Sequence, residues 1–191
     1  MTVQVIFVAP AMGAELREAR FGDDGPPDEA GLAAARAAAG SLPAVPRGFA
    51  SPSNRCRLTA GALGVTAEPD GALADLDVGG WRGRRLDELA ATEPAEVAAW
   101  LADPTVAPHG GESVEALCAR VGGWLAAVAG QQQGRVLAVA EPAVVRAAVV
   151  HALDLPAAAF WRLDVRPLSV TELSGRSGRW NLRCGAELTH P

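Results

Sequence analysis

At 191 residues the chain is long enough for one well-cored domain and short for two, so residues 1–191 are read as a single domain. Hydrophobic residues make up 49% and charged residues 20%, a globular balance that excludes a disordered chain. The formal net charge of −5, with no basic run, argues against nucleic acid as a partner.

Val3 to Val8, apolar except for Gln4, reads as a short buried strand. Met12 to Pro27 carries Gly22, Gly25 and a Pro-Pro pair and is expected to be loop. Asp28 can cap a helix from about Glu29 to Gly40, with Gly40 as its stop. Gly48-Phe49-Ala50 leads into a strand end at Ser51-Pro52, and a helix follows from about Asn54 to Leu63. Ala72 to Gly83 contains three glycines and is expected to be irregular. Helices are expected over Leu86–Ala91, Pro94–Ala102 and Val114–Val128. In the last, Leu117, Val121, Trp124, Leu125 and Val128 recur at helical spacing. Gln131 to Gly134 is a turn, Arg135 to Ala140 a second apolar strand, and Ala143 to Leu153 a helix. Further strands are expected near Phe160–Val165 and Ser169–Leu173, the latter entering a hairpin with Trp180 to Arg183.

Strands alternating with helices imply an α/β fold: a three-layer α/β/α sandwich on a mainly parallel central sheet, with the final hairpin as an antiparallel edge. In such sheets reactive groups gather beyond the C-terminal strand ends. The positions to inspect are therefore Ala9-Pro10, Ser51-Pro52-Ser53 and Glu141-Pro142.

No apolar run approaches the ~18 residues of a membrane span, and the N-terminal run lacks the charged flank of a signal peptide. The three cysteines and three histidines are dispersed, without metal-ligand spacing, so neither metal nor cofactor is expected. A reduced, cytoplasmic protein is the resulting expectation.

Five segments in order carry a resemblance: Pro26-Pro27-Asp28-Glu29-Ala30-Gly31, Ser51-Pro52-Ser53-Asn54-Arg55-Cys56-Arg57-Leu58-Thr59-Ala60, Leu73 to Gly83, Gly110-Gly111-Glu112-Ser113, and Val136 to Arg146. Together they resemble the signatures of the histidine phosphatase (phosphoglycerate mutase-like) superfamily. That family's first strand ends in R-H-G, with a nucleophilic histidine; here Val8 runs into Ala9-Pro10-Ala11. The resemblance puts the family's first arginine on Ala9, its nucleophile on Pro10 and its phosphate-gripping arginine on Arg55. It puts the proton-donating glutamate on Asp75 and the second histidine on Glu141. Proline has no nucleophilic group, so a phosphohistidine cannot form at position 10. One arginine and two carboxylates also suit a dianion badly, since a like-charge contact at 4 Å costs roughly 4 kcal/mol at an effective dielectric of about 20.

Two arrangements of the carboxylates follow. Glu141 can pair with Arg55, occupying the place of a phosphate; or Glu141 and Asp75 can face a cavity together and hold an amine, hold a metal, or divide acid and base roles. His109, in a Pro-His-Gly-Gly loop, is the candidate replacement base, set against an ordinary loop histidine. Trp81 is a candidate cleft wall, set against a core anchor. Cys56 is read as a packing residue, and His151 and His190 as structural and tail. The functional expectation is a catalytically inactive, pseudoenzyme relative that keeps a small-ligand or protein-binding pocket around Arg55. The alternatives are an enzyme repurposed on Asp75, Glu141 and His109 for a non-phosphate substrate, and a phosphomonoesterase that works without a phosphohistidine. The resemblance implies a monomer or homodimer.

Overall fold

The computed structural model describes residues 2–184 apart from 23, 46, 132, 133 and 177. His190 and much of the turn expected at Gln131–Gly134 lie outside the described residues. The strands are β1 (Val3–Val8), β2 (Arg47–Ala50), β3 (Glu68–Pro69), β4 (Gly134–Val139), β5 (Val170–Arg176) and β6 (Arg179–Arg183). The α-helices are α1 (Ala14–Arg17), α2 (Glu29–Ala37), α3 (Asn54–Ala62), α4 (Leu86–Thr92), α5 (Pro94–Ala102), α6 (Val114–Gln131) and α7 (Pro142–Ala152).

The strand order is β3-β2-β4-β1-β5-β6. β1, β2, β3 and β4 run parallel, while β5 pairs antiparallel with β1 and β6 antiparallel with β5. This is the expected mixed sheet with an antiparallel edge. β1 and β4 lie centrally and are covered on both faces, which is why both read as near-continuous apolar runs. Alternate residues of β1 divide between two cores. Val3, Val5 and Phe7 face the layer containing α6 and α7, while Ile6 and Val8 face α2 and α3. Each fully buried Val or Ile contributes about 1.5–3 kcal/mol.

Local chemistry explains several helix starts. Asp28 accepts a hydrogen bond from the Gly31 amide at 2.6 Å, and its own amide donates to the Met12 carbonyl. That crossing leaves no room for a side chain at Gly31, whose Cβ would lie 2.6 Å from the Met12 oxygen. α5 and α7 each place proline in the first turn, where no amide bond is lost.

Three expectations need correction. Phe160–Val165 is no strand: Ala157–Arg162 is a 3-10 helix, with Phe160 buried beneath it. The segment packs against α6 and α7 and does not enter the sheet. The Met12–Pro27 loop contains the single turn α1. The exposed two-residue β3 was invisible in the sequence pattern. No helix among the described residues is long and apolar enough to cross a membrane.

Candidate functional site

The sheet register brings the three strand ends together. The Ser51 amide donates to the Val139 carbonyl at 2.8 Å, and the Ala140 amide to the Val8 carbonyl at 3.1 Å. Just beyond them, α3 and α7 begin side by side. Ser53 caps α3, its hydroxyl accepting from the Cys56 amide at 3.2 Å. Arg55 therefore projects from the first turn of α3 toward Glu141, the residue that precedes α7.

Glu141 and Arg55 form a two-point pair. The Arg55 Nη2 donates to Glu141 Oε2, and Nε donates to Oε1 at 3.3 Å. The Ser53 hydroxyl adds a third donor to Oε1 at 3.0 Å. The side chains are only 12% and 4% exposed, so the pair is largely dry. Burial opposes the Arg55 charge, but the hydrogen bond and charge of Glu141 outweigh it and hold the guanidinium above its ordinary range. Burial also pushes the neighbouring Cys56 thiol well up, with Glu141 adding to the effect, which leaves that sulfur unreactive.

The pair does not fill the site. Beside it lies a cavity of about 600 Å³, lined by Arg55, Asp75, Glu141, Arg146, Trp100 and Trp161 among others. Asp75 comes from the irregular segment between β3 and α4, and Arg120 of α6 holds that segment in place. Its guanidinium donates to the carbonyls of Ala72 (2.9 Å), Ala74 (3.0 Å) and Asp75 (3.4 Å). It also grips both Glu112 oxygens at 2.8 and 2.7 Å. Gly110-Gly111-Glu112-Ser113 thus acts through a buttress: Glu112 orients the arginine that positions Asp75.

Desolvation inside the cavity, followed by the Glu141 charge, raises the Asp75 carboxyl from 3.8 to about 7. The Leu76 amide, Arg55 and Arg120 act in the opposite direction. Asp75 is nonetheless an exposed residue on the open side of the cavity, so water screens much of this effect. Between the ordinary carboxylate range and about 7, folded Asp75 holds a proton that the unfolded chain releases, so its contribution to stability falls as pH rises. The groups facing it are Glu141 before α7, Arg55 on α3, Arg120 on α6 and Arg146 on α7. An Asp75→Asn variant should gain melting temperature over the parent between about pH 5 and about pH 8, with no gain below about pH 4. Thermal melts across that range check this, and a constant offset would remove Asp75 as the titrating group.

The other expected residues sit elsewhere. Trp81 is 2% exposed and does not line the cavity. Its indole N–H donates to Glu93 at 2.8 Å, and its ring packs against Phe21, Trp100 and His109. His109 lies behind the cavity wall, 6% exposed, against Trp81 and Trp100. Its Nδ1 accepts from the Gly111 amide at 3.1 Å, and burial lowers its pKa, leaving a neutral ring that braces the loop. The pocket's aromatic wall is instead Phe21, Trp100, Phe160 and Trp161. Ala9 and Pro10 are buried beneath the site: the Ala9 amide donates to Ser169, and both carbonyls accept from the Leu168 amide.

Sequence reasoning missed Arg146 as a site residue. It follows Pro142 by one helical turn, and Pro142, Ala143 and Arg146 all line the cavity. That spacing was the available signal.

Comparisons with known proteins agree with this fold. A solved structure named mycobacterial hydrolase 1 matches with a TM-score of 0.86 and 27% identity, covering 96% of this chain and 98% of that one. The native structure of mycobacterial glucosyl-3-phosphoglycerate phosphatase Rv2419c matches with a TM-score of 0.85 and 26% identity, covering 95% and 97%. The bifunctional protein Rv2228c of Mycobacterium tuberculosis is 31% identical over 114 residues, 58% of this chain. The chain spans only 31% of that protein's length. The family model for the histidine phosphatase superfamily (branch 1) matches residues 14–187, and the chain belongs to that superfamily.

Proposed function

We propose that this protein has left phosphohistidine chemistry and uses the cavity beside Arg55 to bind a small ligand without turning over phosphoesters. The observation that carries this reading is the Glu141 carboxylate seated on Arg55 and Ser53. A carboxylate held by two guanidinium nitrogens and a hydroxyl mimics a bound phosphate and satisfies the arginine internally. The segment Ala9-Pro10-Ala11 supplies no nucleophile where the superfamily's histidine would stand. The mycobacterial relative named as a glucosyl-3-phosphoglycerate phosphatase shares the scaffold, but scaffold alone does not carry activity. The free cysteines Cys56, Cys118 and Cys184 fit a reducing, cytoplasmic setting.

A second reading is favoured by Asp75, whose carboxyl lies near 7 in an open cavity. A group poised there can exchange a proton with a bound substrate at neutral pH. In that reading Asp75 is the acid or base of a repurposed enzyme acting on a non-phosphorylated substrate.

The test combines turnover and binding. A phosphomonoester panel should release no phosphate from the parent protein above an Arg55→Ala control. Inorganic phosphate should give no isotherm with the parent, whereas Glu141→Gln, which uncovers Arg55, should bind it with a Kd of about 1–10 mM. Arg55-dependent turnover in the parent would overturn the proposal.

A further inference from the structure

With Arg55 satisfied by Glu141, the cavity wall still carries Arg146 and Asp75, neither with an ion-pair partner among the described residues. Arg146 spends its Nε on the Leu163 carbonyl at 2.8 Å, and its guanidinium lies 5.7 Å from the centre of the Phe160 ring. Arg146 lines the cavity, and its two terminal nitrogens have no hydrogen-bond or ion-pair partner among the described residues. Asp75 faces the same space. Its carboxylate accepts one bond, from the Leu76 amide at 2.8 Å, and has no ion-pair partner among the described residues. The charge of Asp164 and, after it, that of Asp75 are felt at Arg146, yet neither makes a salt bridge with it among the described residues. Trp100, Trp161 and Phe160 close the apolar side, with Trp161 ring centroids 4.4 and 4.8 Å from those of Trp100 and Phe160.

An unpaired cation and an unpaired carboxylate across one gap, beside an aromatic wall, describe a ligand with a head of both signs and an apolar body. We propose that the cavity binds a small zwitterion of the α-amino-acid type, its carboxylate on Arg146, its ammonium on Asp75 and its side chain against Trp100, Trp161 and Phe160. A phosphate dianion would meet Glu141 as a like charge, and Asp75 too once it ionises, and a simple amine would leave Arg146 unused. The cavity of about 600 Å³ has the size usual for small-molecule sites. This assignment rests on the reading that Glu141 has closed Arg55 to anions.

Calorimetric titration with L-phenylalanine, L-tryptophan and L-leucine tests it, using phenethylamine and 3-phenylpropionate as analogues lacking one charge. At least one amino acid should bind saturably, and L-phenylalanine should bind about tenfold or more tighter than either analogue. Arg146→Gln should erase the preference over phenethylamine, and Asp75→Asn the preference over 3-phenylpropionate. Arg146→Lys, which keeps the charge, should recover part of the first. If Arg146→Gln fails to fold, the Asp75→Asn result alone decides. No saturable binding by any amino acid up to ~10 mM, or equal binding of the analogues, would overturn the proposal. Phenyl phosphate run alongside separates the two readings. Arg55-dependent binding of phenyl phosphate would overturn the closed pair. Silence from both amino acids and phenyl phosphate would overturn the zwitterion alone.

Discussion

Replacing Arg55 by alanine should cost about 3–5 kcal/mol of folding stability, because it strands the Glu141 carboxylate in a dry site. That side chain is 4% exposed, and its remaining donor would be the Ser53 hydroxyl. Urea unfolding should show a lower midpoint at an unchanged slope. The double variant Arg55→Ala/Glu141→Ala should be more stable than Arg55→Ala alone, since the stranded charge has then been removed, with a coupling of about 1–3 kcal/mol. A single-variant loss below about 1 kcal/mol would mean that water reaches the pair and that Glu141 is no fixed occupant of Arg55. This measurement is independent of any ligand, so it tests the feature on which the functional reading depends.

Arg120→Ala should cost about 3 kcal/mol and loosen the wall that carries Asp75. The side chain serves three backbone carbonyls and both oxygens of Glu112, and no other residue type presents five donors in one plane. Lysine keeps the charge but reaches one or two of those acceptors, so Arg120→Lys should recover less than half of the loss. Hydrogen exchange should speed up in residues 72–83 while the central strands β1 and β4 stay protected. Uniform exchange throughout the sheet would show that Arg120 supports the whole fold and has no special hold on the Asp75 segment.

Much of the fold could be read from the sequence because its signals are local. The apolar runs at Val3–Val8 and Arg135–Ala140 mark strands buried on both faces, and these became the central pair β1 and β4. Asp28, Pro94 and Pro142 mark helix starts by chemistry that acts within one turn. The Phe160–Val165 segment misled because a short apolar run does not distinguish a strand from a short buried helix. β3 escaped because two exposed residues carry no periodicity.

The candidate site divides along the same line. Motif order carried the resemblance that put Arg55, Asp75 and Glu141 near the ends of adjacent elements. Trp81 and His109 are near in sequence to cavity-lining residues, but they point into the aromatic cluster behind them. A loop's side-chain directions depend on what packs against it, and spacing does not encode that. Arg146 could be reached only through the helical turn that aligns it with Pro142.

By itself the sequence determined the layered α/β architecture and the family resemblance, because periodicity, capping and residue identity are properties of short stretches of chain. Only the tertiary structure decided that Glu141 occupies Arg55 while Asp75 and Arg146 stay open to a cavity. Those outcomes depend on distances between residues far apart in the chain, and on the desolvation that arises once they are enclosed together.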